Sequence, residues 1–156
     1  MMKSIILFFA MIMIVSCGDS KKSNSSAEYV PYTQRKTATN DGKGVGEIKS
    51  VKLNDPLNQD MVDRGQAIYD MKCAACHKLS GSRVVGPSWE GLTKKRKPEW
   101  LMNMITNVEV MLEEDPEARK LLEECLTRMP NQNVSIGDAR DIVEFMYFND
   151  KDLANK

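Results

Sequence analysis

Histidine is almost absent from this chain of 156 residues: there is one, His77, beside eleven methionines. A single imidazole leaves no second histidine to serve as an acid or base beside a metal, and four cysteines supply no second ligand pair for a structural zinc site. Net charge is also absent, with 22 basic against 22 acidic residues. No basic run carries interleaved aromatics, so nucleic acid is excluded as a partner. Period-2 apolar alternation long enough for a sheet is missing, and so is any internal repeat. The longest apolar run, residues 5–15, is too short to span a bilayer.

That run nevertheless has a meaning. Lys3 precedes it, and Ile14-Val15-Ser16-Cys17 closes it with small residues before a cysteine. The pattern resembles the bacterial lipoprotein lipobox, in which the cysteine becomes the acylated first residue of the mature chain. The resemblance implies a lipoprotein signal peptide over 1–17, a lipidated Cys17, and a periplasmic protein anchored to a bacterial membrane. An ordinary export signal or a retained anchor would equally place the chain outside the cytoplasm.

Residues 18–59 are rich in Ser, Lys, Asn, Thr and Gly, with one aromatic cluster at Tyr29-Val30-Pro31-Tyr32 and the run Asp41-Gly42-Lys43-Gly44-Val45-Gly46. Too few apolar side chains are present to fold alone, so the expectation is a disordered, flexible tether. A tether of about forty residues has a root-mean-square reach of roughly 35 to 40 Å.

The remaining residues, 60–156, form a small domain that reads as all-α, with about four helices. The first spans about Asp60 to Cys73, with Val62, Gly65, Ile68 and Tyr69 on one face. Pro98 opens a second that carries Trp100, Leu101, Met104, Ile105 and Val108. Asp115-Pro116-Glu117 supplies the N-cap, first-position proline and first-turn acid of a third. Ser135 with Asp138 resembles a capping box and starts the last, whose inner face is Ala139, Ile142, Val143 and Met146. Charge is segregated within the domain. Lys94-Lys95-Arg96-Lys97 is basic, whereas Glu109, Glu113, Glu114, Asp115, Glu117, Glu123 and Glu124 form an acidic block; these are either solvated faces or a docking patch for a charged partner.

Cys73-Ala74-Ala75-Cys76-His77 carries the chemistry. Two thiols three residues apart on one helical turn can reach two vinyl groups along one porphyrin edge, and the next residue then projects over the metal. The pattern reads as covalent attachment of one haem c, with His77 as an axial iron ligand. The sixth iron position falls to a methionine, a lysine, the chain terminus, water or nothing. Met129 is favoured because Pro130 stiffens its loop, and a weak iron–thioether bond needs a sulfur already aimed; Met111 is second. Cys125 shares a helical face with Ala118, Leu121, Leu122 and Leu126, and is read as a free, buried small hydrophobe rather than a regulatory or cross-linking thiol.

From Met61 to Leu153 the chain resembles the small monohaem cytochromes c, through the cysteine–histidine motif, Met129-Pro130 and the helical frame. The resemblance implies that Gly86-Pro87 follows the motif so that the proline carbonyl receives a hydrogen bond from His77. It pairs Gly65 with an aromatic of the last helix, Phe145 or by a shift of register Tyr147. Trp89 and Trp100 fall near the haem edge, where either could donate its indole hydrogen to a propionate or simply pack. The function implied is one-electron transfer with redox-protein partners, a membrane electron donor and a terminal reductase or oxidase, with no catalytic residue and no small-molecule substrate. Two other classes are set against it: a peroxidase-like or gas-binding haem protein with an open sixth position, and a dithiol or zinc site. The second would want a distal base, and the third a βαβ frame or further ligands.

Overall fold

The structure, a computed structural model, describes residues 41–156. The expected signal segment, Cys17 and residues 18–40 of the expected tether lie outside the described residues. Six helices and no strand occur among the described residues: α1 (Gln59–Lys72), α2 (Leu92–Lys95), α3 (Pro98–Thr106), α4 (Val108–Glu114), α5 (Pro116–Cys125) and α6 (Ile136–Ala154). The expected all-α class holds. Two helices were not anticipated: the short α2, and α4, which is split from α3 at Asn107, whose φ of −141° and ψ of 44° are not helical.

The caps explain the helix starts. Asn58 accepts from the Met61 amide at 3.0 Å to start α1. Asp115 accepts from Ala118 N at 2.8 Å, with Pro116 at the first helical position of α5. Ser135 accepts from Asp138 N at 3.1 Å to start α6. Leu126, at φ 57°, ends α5 in the left-handed region.

The frame is the crossing of α1 and α6. Gly65 lies under the backbone of Asp141, and a Cβ there would meet the Asp141 carbonyl oxygen and come within 2.9 Å of Phe145 Cβ. The glycine's aromatic neighbour is thus Phe145 rather than Tyr147. The contact lets the two backbones approach until Val62, Tyr69, Ala139, Ile142 and Phe145 share one core. Arg64 closes the rim with a two-pronged bond to Asp141, at 2.6 and 3.0 Å.

The flexible linker expected to reach residue 59 is corrected at its end: residues 41–58 pack along the helical body. Asn103, fully buried on α3, accepts from Ile48 N at 3.1 Å and donates to the carbonyls of Ile48 and Lys43, each at 3.0 Å. Val51 N donates to Glu99 Oε1, and Asn58 N with Asn54 Nδ2 donate to Glu144 Oε1. A polar, glycine-rich strand-less segment is ordered because buried side chains of α3 and α6 take its backbone groups. The packed domain therefore begins well before residue 60.

Candidate cofactor cleft

α1 delivers the cysteine–histidine motif. Its last turn continues through Cys73, whose carbonyl accepts from Cys76 N at 3.0 Å and His77 N at 2.9 Å, so both cysteines and the histidine lie on one compact turn. The Tyr69 hydroxyl donates to the His77 carbonyl at 2.6 Å and ties that turn back to α1. The following loop is held from α6: Asn149 donates to Leu79 O, and Asp150 accepts from Gly91 N, Thr93 N and Thr93 Oγ1.

This loop brings Gly86 and Pro87 over the imidazole. His77 Nδ1 lies 2.9 Å from Pro87 O, and facing a carbonyl it must carry the proton and donate. Nε2 then keeps its lone pair for another partner. A Cβ on Gly86 would stand 2.7 Å from Nδ1, so only glycine leaves room for the ring there. Burial lowers the pKa of His77 and the bond to Pro87 raises it; burial wins, which keeps the ring neutral and able to ligate.

Cys73, Cys76 and His77 line a cleft enclosing about 1070 Å³, part of it open to solvent, whose walls are overwhelmingly apolar. Trp89, Leu92, Trp100, Leu101 and Ile105 line it, as do Leu121, Leu122 and Cys125 of α5 and the loop through Met129. Burial pushes the Cys73 thiol up to about 11, against the pull of Lys72. Cys125 is half-buried, unpaired with any other described cysteine, and faces the cleft rather than the protein core.

Three methionines reach the cleft: Met104 of α3, Met146 of α6 and Met129 of the loop. Met111, the second choice from sequence, is fully buried and its sulfur accepts from Val45 N at 3.0 Å. That sulfur is engaged elsewhere. Trp100 is corrected as a donor to a propionate, because its Nε1 donates to Asp115 Oδ1 at 3.0 Å. Trp89 is buried between Tyr69 and His77, with ring centroids at 4.7 and 6.1 Å, and its indole N–H has no hydrogen-bond partner among the described residues. The basic and acidic blocks meet at Arg96, which bonds Glu117 at 2.9 Å and lies 4.8 Å over the Trp100 ring. The sequence showed Asp115 only as a helix cap and gave no sign of Asn103; a cap that also takes an indole proton leaves no periodic signal.

The pattern that defines the family described as Cytochrome c matches residues 62–147, more than half of the chain. The chain belongs to the cytochrome c family. A cytochrome c from Rhodothermus marinus shares its fold at a TM-score of 0.68 with 28% identity, over 71% of this chain and 95% of that one. An engineered form of that cytochrome gives 0.66 and 27% over 70% and 95%. A "Cytochrome c-553-like" protein of Synechocystis is 31% identical over 45 residues, which is 29% of this chain and 43% of the relative. The chain thus spans less than half the length of that curated relative. Cytochrome c domains carry covalently attached haem c, and the cofactor of this chain is haem c. The residues present fit it: two thiols, a neutral imidazole with its Nδ1 proton fixed, and an apolar cleft that all three line.

Proposed function

We propose that this cytochrome c is a one-electron carrier tethered to the periplasmic side of a bacterial membrane, with Cys73 and Cys76 bonded to the haem and His77 and Met129 as axial ligands. Haem c supplies a ferrous–ferric couple whose potential axial ligands can move over about 0.8 V. The carrying observation is the Nδ1–Pro87 bond beside Gly86, which leaves Nε2 of His77 turned to ligation on a cleft that Met129 also lines. Both axial positions would then belong to the protein and none to a substrate. Met129 is the sulfur donor because it is on a loop next to Pro130, whereas Met104 and Met146 sit within helices α3 and α6. A neutral thioether favours the ferrous form and raises the potential. Trp89 and Trp100 wall the pocket and keep water from its inner side.

Lipid at Cys17 and the preceding residues 18–40 would hold the carrier near membrane-bound donors and a terminal reductase or oxidase, raising its local concentration there. Exposed Lys94 and Lys95, with Glu109, Glu113 and Glu114 on α4, offer opposite charges for partner docking. The test is the far-red absorption band of ferric His/Met haem in the holoprotein. It is present in the native protein and in Met104→Ala, and lost in Met129→Ala. A native protein without that band does not have the His/Met pair, and where its ferrous form then takes up carbon monoxide readily the sixth position is open and the carrier reading fails in favour of a gas-binding or peroxidase-like one.

A further inference from the structure

The stretch that carries Met129 is pinned at its two ends by cations from either side of the cysteine–histidine motif. Arg83, six residues past His77, donates through Nη1 to the carbonyl of Glu124 at 2.6 Å and lies 3.7 Å from Cys125 Sγ. Lys72, the residue before Cys73, donates through Nζ to the carbonyl of Gln132 at 3.0 Å. Among the described residues, the only other hydrogen bond from residues 127–132 to a distant element runs from Asn131 to Glu109, at 3.2 Å between exposed side chains. Apolar contact on this side comes from Leu121, Leu122 and Met129, which are partly buried against the core and line the cleft, while Leu126 just beyond α5 is 88% exposed.

We propose that Arg83 and Lys72 are positioning residues for Met129, fastening the methionine side of the cleft to the histidine side and so setting how often the sixth iron position opens. The inference rests on the His/Met reading above. Each contact joins a charged donor to a main-chain carbonyl, the stronger kind of hydrogen bond, yet both donors are on the surface, where water competes. Each bond is therefore modest, and the pair biases an equilibrium rather than locking it. A small ligand that enters only the open fraction binds with its intrinsic dissociation constant divided by that fraction. Releasing both ends raises the open fraction and tightens such a ligand in proportion.

Imidazole titrated into the full-length ferric holoprotein reads this directly, followed by the far-red band. Arg83→Met with Lys72→Met keeps the aliphatic stems and removes both donors. The double variant should bind imidazole about tenfold more tightly than the native protein, a change equivalent to about 1.4 kcal/mol. Each single variant should fall between, and Arg83→Lys with Lys72→Arg, which restore donors, should return to near-native affinity. Loss of the band in the double variant before any imidazole, with its return in the conservative pair, supports the proposal in stronger form. Native affinity in the double variant overturns it, as does equal tightening in the conservative pair. Met129→Ala serves as the separate control: if the band survives there, the ligand assignment is wrong, whatever the imidazole result.

Discussion

The indole N–H of Trp100 donates to Oδ1 of Asp115 at 3.0 Å, and the same oxygen accepts from Ala118 N at 2.8 Å. One buried carboxylate therefore caps α5 and ties it to α3, two helices that both line the cleft. Arg96 reinforces the junction by lying over the Trp100 ring and bonding Glu117 in the first turn of α5. The helix that leads to the Met129 loop is thus oriented from its start by Trp100, a buried residue that also lines the cleft.

Removing this junction should loosen α5 without touching the haem attachments. Asp115→Ala removes the cap and strands a buried indole donor, which together cost about 2 to 4 kcal/mol. Trp100→Phe keeps most of the packing and leaves the Ala118 bond, for about 1 to 3 kcal/mol. Urea unfolding of the holoproteins measures both as shifts of midpoint at constant slope. An Asp115→Ala protein as stable as the native one would show that the shared carboxylate holds nothing.

What was legible in the sequence was whatever depends on near neighbours in the chain. Pro98, Asp115-Pro116 and Ser135 announced three helix starts because capping is chemistry of three or four successive residues. The cysteine–histidine turn could be read for the same reason, whereas Pro87, ten residues on from His77, was expected there only through the resemblance to the small monohaem cytochromes c. Residues 41–58 could not. Their glycines look like those of a flexible tether, yet Gly44 adopts φ +74° and a Cβ there would come within 2.7 Å of Met111 Cε, while one on Gly46 would strike Asn103. The same lack of side chains that permits disorder permits close docking, and the partner lies some sixty positions away. α4 was hidden similarly, since Asn107 breaks an apolar pattern that runs on from α3 and then donates to Val45 O of the packed segment.

Glu144 gives the domain an acid limit. It is fully buried on α6; burial raises its pKa, but bonds from Asn58 N, Arg140 and Asn54, together with the Arg140 charge, outweigh that and hold it below the ordinary glutamate value. A carboxyl depressed in the folded state binds protons more readily when unfolded. Its stabilisation is complete above the unfolded pKa and drains as pH falls through the folded one. Glu144→Gln faces Arg140 with no charge and should be less stable by about 3 kcal/mol near neutrality. The gap to the native protein should narrow as pH drops below about 4.5. Chemical denaturation of both proteins from pH 7 to pH 3 tests this, and a gap independent of pH would contradict it.

Asn103 should control the packed segment independently of the rest. Its amide satisfies both Ile48 N–H and Ile48 C=O, groups buried where water cannot replace it. Asn103→Ala leaves a buried donor and acceptor unpaired, and the segment can relieve them only by lifting away. That is local opening, whose free energy exchange of the Ile48 amide reports. The loss of about 2 to 3 kcal/mol expected from two stranded groups speeds that exchange by about two orders of magnitude. The Val62 amide, bonded to Asn58 O at the start of α1, should keep its native rate. Equal acceleration at both amides would mean that the segment and the helical body open as one unit.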